Sequence, residues 1–163
     1  MSITTHMATG FVDFINPTYD ELKVAAKHIS EFIHYNDSEI GKVDCIVGIT
    51  RGGLMPAQEL SHLMNIPMET VNYSSKAGAG DSKNHRNYLP ELRGKSILLV
   101  DDICDSSKTL KELHDAYTEK GYKVFTAVMY YKQLNDPDSY VPDVWAMKIS
   151  KNFGFINFPW ERN

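Results

Sequence analysis

At 163 residues the chain is long enough to form one domain whose core needs neither disulfides nor structural metals. Its 17 Lys and Arg against 21 Asp and Glu give a net charge of −4 and a pI of about 5.8, which argues against general binding to nucleic acid or an anionic membrane surface. No stretch approaches the roughly 20 apolar residues of a membrane span, and the amino terminus lacks a basic patch followed by an apolar run. Cys45 and Cys104 have neither metal-ligand nor disulfide-framework spacing, so a cytoplasmic protein with no nucleic-acid or membrane partner is expected.

The first signal along the chain is a T-x-x-E capping box at Thr18 and Glu21, directly after Pro17. Leu22, Ala25, Ala26, Ile29, Phe32 and Ile33 then recur at helical spacing, which predicts an amphipathic helix to about residue 34. His28 and His34 lie six apart on it and do not stack as a ligand pair, so both read as surface histidines. Residues 43–49 form an apolar run, predicted as a buried strand, that leads into Thr50-Arg51-Gly52-Gly53 and a helix over 54–64. Strand, glycine loop and helix is an anion-site layout, because adjacent glycines let backbone N–H groups approach a ligand and an arginine supplies a charged fork. A plain turn with one exposed arginine would look the same if it stood alone. Residues 66–73 suggest a third strand. Residues 74–90 are polar, carry Gly78 and Gly80, and hold Lys76, Lys83, His85 and Arg86; a segment of this kind is either disordered or a lid.

Residues 96–110 are chemically the densest stretch. Ile97, Leu98, Leu99 and Val100 read as a strand buried on both faces, as in parallel sheets. Asp101 and Asp102 follow at its end, where open α/β sheets place ligands. Asp105, Ser106, Ser107 and Thr109 then open a helix, where unpaired N–H groups and the helix dipole attract an anion. Carboxylates beside a phosphate cradle repel it unless they face sugar hydroxyls, a ring N–H or a metal. A sugar phosphate with a divalent cation satisfies all of these groups; a simple capped helix would need only one of them.

Residues 109–120 form the helix, stopped by Gly121, and residues 123–131 are rich in strong strand formers. Lys132 sits at the end of that strand. Residues 137–142 are a turn-rich connection, and 144–149 and 153–158 read as two further short strands before Pro159-Trp160-Glu161.

The run D-D-I-C-D-S-S-K-T at 101–109 resembles the signature of the type I phosphoribosyltransferases and is closest to their 6-oxopurine (xanthine-guanine and hypoxanthine-guanine) branch, with Ser107 standing where that branch has glycine. V-G-I-T-R-G-G-L-M-P resembles the family's pyrophosphate loop, and F-I-N-F-P-W-E resembles the carboxyl-terminal segment of the bacterial purine enzymes. The resemblance implies an α/β fold: a central, mainly parallel sheet flanked by helices, with a lid at about 74–90 and a small hood formed mainly by 133–163 with the amino terminus, all in one domain spanning 1–163. It also implies a non-proline cis peptide at Thr50–Arg51.

The activity so implied is Mg²⁺-dependent transfer of phosphoribose from 5-phospho-α-D-ribosyl 1-diphosphate to guanine, xanthine or hypoxanthine. The sugar diphosphate would meet Asp101, Asp102, Ser106, Ser107, Lys108, Thr109, Thr50, Arg51, Gly52 and Gly53, with Asp101 and Asp102 also serving the metal. Asp105 would manage the N7 proton. Ser74, Ser75, Lys76 and Arg86 would belong to the lid. Lys132 would donate to the 6-oxygen, Phe155 stack on the base, Ile156 offer backbone groups, and Glu161 approach the 2-substituent or metal-bound water. A homodimer or homotetramer is expected by the same resemblance. A non-catalytic sensor of the sugar diphosphate and a phosphoribosyltransferase for adenine or a pyrimidine are the competing readings; Lys132 disfavours adenine, since a 6-amino group cannot accept its bond.

Overall fold

The computed structural model describes residues 14–73 and 89–161. Among these, five strands form a wholly parallel sheet: β2 (Cys45–Thr50), β3 (Met68–Asn72), β4 (Ser96–Cys104), β5 (Lys123–Gln133) and β6 (Val144–Ser150), in the order β3-β2-β4-β5-β6. The chain runs from β2 outward to β3, then crosses back to place β4 on the other side of β2. That reversal leaves a crevice between the carboxyl ends of β2 and β4, the usual ligand position in an open α/β sheet.

The alternation of side chains along the strands decides which helix covers which face. Leu98 and Val100 of β4 and Ile46 of β2 face a core shared with Leu22, Ala26, Ile29 and Ile33 of α1 (Tyr19–Tyr35) and Ala57 and Leu60 of α3 (Leu54–Met64). Ile97 and Leu99, with Val47, Ile49 and Val71, face the opposite core under Leu110, Leu113 and Tyr117 of α4 (Lys108–Glu119). A one-residue shift in β4 would only exchange these two apolar sets, so the run accounts for burial on both faces, and the register is set by what flanks it. The capping box forms as expected: Glu21 N–H donates to Thr18 Oγ1 at 3.2 Å, and Thr18 N–H donates to Glu21 Oε2 at 2.8 Å. His28 and His34 are exposed.

Three expectations need correction. β4 does not stop at Val100 but continues to Cys104, because Asp101, Ile103 and Cys104 pair with Val128, Tyr130 and Tyr131 of an equally extended β5. Asp101 and Asp102 therefore lie within the strand, and Lys132 lies within β5. Residues 153–158 add no strand to the main sheet: only β7 (Phe155–Ile156) forms, and it pairs in parallel with β1 (Phe14–Ile15) from the amino-terminal side. A short helix not expected from sequence, α2 (Asp37–Ile40), follows α1.

Gly53 is tightly enclosed. A Cβ there would press into the Val100 carbonyl and come within 2.8 Å of the Ile49 N and O atoms. At Gly121, which takes φ 88 after α4, the same atom would meet nothing within 4 Å. Gly53→Ala should therefore lose about 2 kcal/mol or more from overpacking, against about 1 kcal/mol for Gly121→Ala from backbone strain alone. Urea unfolding of both variants checks the order, and equal losses would contradict the packing assigned to Gly53.

Candidate active site

β2 delivers Thr50 to the crevice and the loop after it turns under the end of β4. The Thr50–Arg51 peptide is cis, as the resemblance implies. Thr50 Oγ1 donates to Asn72 Oδ1 of β3 at 3.2 Å, Gly53 N–H donates to Ile49 O at 2.8 Å, and Arg51 is left exposed at the rim. Gly52 lies against the Asp102 carboxylate so closely that any side chain would collide with it. The glycine at this position thus has a local reason: it lets the loop and the acidic strand end share one crevice.

Asp101 and Asp102 are the electrostatic centre of the site. Asp102 N–H donates to Asp101 Oδ1 at 2.9 Å, and Ile103 N–H donates to Asp102 Oδ1 at 2.7 Å. Burial, reinforced by the charge of Asp102, holds the Asp101 carboxyl well above the usual carboxylate range. Burial also raises Asp102, opposed by the backbone N–H of Ile103 and the indole of Trp160 and reinforced by the charge of Glu161. Among the described residues neither carboxylate has a lysine or arginine as partner. Burial also pushes the Cys104 thiol up to about 12, so it is inert.

On the other side of β4, Lys132 Nζ lies 3.1 Å from Asp105 Oδ1; the lysine side chain is 16 % exposed and the aspartate 61 %. This contact joins two residues that the sequence separates by 27 positions. Ser106 and Lys108 are exposed beside them, Thr109 is partly buried in the first turn of α4, and Ser107 is buried at the helix N-cap. Ser107 takes φ 57 and ψ −10, the left-handed conformation that glycine would adopt easily. Its hydroxyl makes no bond to its own helix and accepts the backbone N–H of Tyr140 at 3.2 Å instead.

The carboxyl-terminal segment closes the acidic side. Trp160 Nε1–H donates to Asp102 Oδ2 at 3.4 Å and its ring stacks on Phe158 at 4.9 Å. The Glu161 carboxylate accepts the Phe158 backbone N–H at 3.3 Å. Phe155 is 66 % exposed and stacks on Phe14 at 6.1 Å, while Ile156 is buried in the core. Sequence reasoning missed Trp160 and Tyr140. A tryptophan beside acidic motifs, whose indole N–H needs an acceptor when half-buried, was the available signal for the first. Ser74, Ser75, Lys76 and Arg86 lie outside the described residues.

The profile of the phosphoribosyl transferase domain matches residues 18–161. The chain belongs to the phosphoribosyltransferase family. Among relatives, the xanthine-guanine phosphoribosyltransferase of Cereibacter sphaeroides is 31% identical over 121 residues, covering 71% of this chain and 68% of that protein. That of Ruegeria sp. is 29% identical over 126 residues, covering 71% and 67%. Among solved structures, a purine phosphoribosyltransferase from Pyrococcus horikoshii superimposes with a TM-score of 0.70 at 26% identity, covering 92% of this chain and 95% of that one. The five-stranded parallel sheet flanked by helices is thus the type I phosphoribosyltransferase fold, and the motif carrying Asp101 and Asp102 lies within the matched span.

The raised pKa of Asp101 has a definite sign in stability. The folded chain keeps this proton at pH values where the unfolded chain has lost it, so the stabilising contribution is present at low pH. It is lost as pH rises from the ordinary aspartate range through the raised folded value. In chelator-containing buffer, Asp101→Asn should unfold like the parent at acidic pH and at higher temperature than the parent at pH 7. Thermal unfolding across pH checks this; a difference that does not change with pH would contradict it.

Proposed function

We propose that the protein transfers phosphoribose from 5-phospho-α-D-ribosyl 1-diphosphate to a 6-oxopurine, releasing pyrophosphate and a purine nucleoside 5′-monophosphate. The observation that carries this reading is the 3.1 Å approach of Lys132 to Asp105, which follows directly after the strand that carries Asp101 and Asp102. A cationic donor matched to a 6-oxygen and a carboxylate able to handle the neighbouring ring proton are what an oxopurine requires, and a protein that only sensed the sugar diphosphate would need neither. The names of the bacterial xanthine-guanine relatives support the same substrate class.

In this scheme the 5′-phosphate rests on the amides and hydroxyls of Ser106 and Thr109 at the start of α4, with the amides of Ser107 and Lys108. Asp101 and Asp102 face the ribose hydroxyls. Two adjacent carboxylates without cationic partners, one buried and one half-buried, also fit Mg²⁺, which is typically held by one or two protein carboxylates, with substrate oxygens and water completing its shell. Bound there, Mg²⁺ would supply charge neutralisation of the diphosphate. Arg51 and the amide of Gly52 hold the departing pyrophosphate as positive charge develops on the sugar; the Gly53 N–H, expected from sequence to join them, is instead donated to Ile49 O. Asp105 takes or stabilises the N7 proton of the attacking base, and Lys132, freed from Asp105, donates to the 6-oxygen. Phe155 presents an exposed ring for the base, and Ile156 offers backbone groups. Glu161, now occupied with Phe158, lies near enough to Asp102 to raise its pKa and is the acid placed to meet metal-bound water or the 2-substituent. The lid cations, a dimer or tetramer of one-domain chains and a cytoplasmic setting complete the proposal. Among the described residues no helix is long and apolar enough to cross a membrane.

A base panel of guanine, hypoxanthine, xanthine, adenine, uracil and orotate, assayed for pyrophosphate release with Mg²⁺, tests it. Release with at least one 6-oxopurine and not with adenine is expected, and release with no base would overturn the catalytic reading. Asp105→Asn should lower kcat by about a hundredfold or more while changing sugar-diphosphate affinity far less; full activity would remove Asp105 from the reaction. Lys132→Ala should raise KM for oxopurines selectively, and an equal loss with every base would make its role structural.

A further inference from the structure

The left-handed Ser107 raises a question that its own helix does not answer. At φ 57 a non-glycine residue is strained, yet its side chain caps nothing in α4. Its hydroxyl, in a residue 9 % exposed, accepts the N–H of Tyr140 from the connection between β5 and β6. Tyr140 is itself fastened. Its phenol lies 3.0 Å from Oγ1 of Thr126, a fully buried residue of β5. That hydroxyl donates to Asp143 Oδ2 at 2.8 Å and accepts the Asp143 N–H at 3.0 Å, while Thr126 N–H donates to the same carboxylate at 2.8 Å. A threonine hydroxyl has one proton to give, and here it goes to Asp143, so the Tyr140 O–H is the donor in its contact with Thr126. Every bonding position of Thr126 Oγ1 is therefore used.

We infer that Tyr140 is a positioning residue: anchored through its phenol to the rigid sheet, it holds the anion loop through its backbone N–H and Ser107 Oγ. The tether keeps residue 107 in the left-handed turn that a glycine would take unaided. It thereby presents the amides of the loop already oriented toward a phosphate. The Ser107 hydroxyl then acts by shaping the loop, and the phosphate is gripped by its neighbours. This inference rests on the reading of 105–109 as the site of the 5′-phosphate.

Tyr140→Phe removes only the anchoring O–H and leaves the loop and its amides chemically intact. Calorimetric titration with ribose 5-phosphate should show about three- to tenfold weaker binding, the range expected for one lost hydrogen bond. Amide hydrogen exchange at 106–109 should also quicken. Ser107→Gly, whose residue takes the left-handed turn unaided, should bind like the parent, and adding Tyr140→Phe to it should cost nothing further, because the tether is no longer needed. Parent-like exchange at 106–109 in Tyr140→Phe, or a further loss in the double variant, would overturn the tether. Should the parent protein fail to bind ribose 5-phosphate, the phosphate reading falls, and the exchange comparison still decides whether Tyr140 holds the loop.

Discussion

Two adjacent aspartates near the carboxyl end of the central strand, Asp102 buried and Asp101 half-buried, are the constraint around which this structure is arranged. Asp101 and Asp102 oppose folding at neutral pH, since burial disfavours both charged forms, reinforced by the charge of Asp102 at Asp101 and by that of Glu161 at Asp102. The surroundings moderate that cost without removing it. Backbone N–H groups of Asp102 and Ile103 and the Trp160 indole each donate to one of the carboxylates, and no cationic side chain among the described residues neutralises them. Such an arrangement persists where an incoming group completes it, and cost of this kind concentrates at functional sites. The glycine at 52 follows from the same constraint, since a larger residue would displace Asp102.

From this centre the crevice is assembled by topology. Because β4 returns to the other side of β2 after β3, the glycine loop and the acidic end of β4 lie on neighbouring strands. The extension of β4 and β5 past their apolar cores carries Lys132 out to Asp105. The opposite wall comes from the carboxyl-terminal segment, where Phe158 and Trp160 stack and Trp160 reaches Asp102. The amino-terminal strand pairs with Phe155 and Ile156, so both ends of the described chain contribute to one small subdomain.

Much of this was legible before any coordinates. The runs at 43–49 and 97–100 identified strands buried on both faces, the Thr18–Glu21 box located the first helix, and D-D-I-C-D-S-S-K-T pointed to the phosphate and acidic groups. These are local signals, set by burial, capping and turn chemistry within about ten residues. What escaped is long-range. The strand limits at Cys104 and Gln133 depend on β4 and β5 extending each other, and neither sequence alone specifies that pairing. β1 and β7 are two residues each and exist only as a pair. The Ser107–Tyr140 bond spans 33 residues, and from sequence Ser107 read as a phosphate contact standing where the family branch has glycine.

The central claim is that the cost of burying Asp101 and Asp102 is offset when a divalent cation and the sugar diphosphate arrive together. Calorimetric titration of the parent protein and the Asp101→Asn/Asp102→Asn variant with 5-phospho-α-D-ribosyl 1-diphosphate, with and without Mg²⁺, tests it directly. The account predicts that Mg²⁺ strengthens binding by the parent and has little effect on the variant. Equal Mg²⁺ dependence in the two proteins would contradict it.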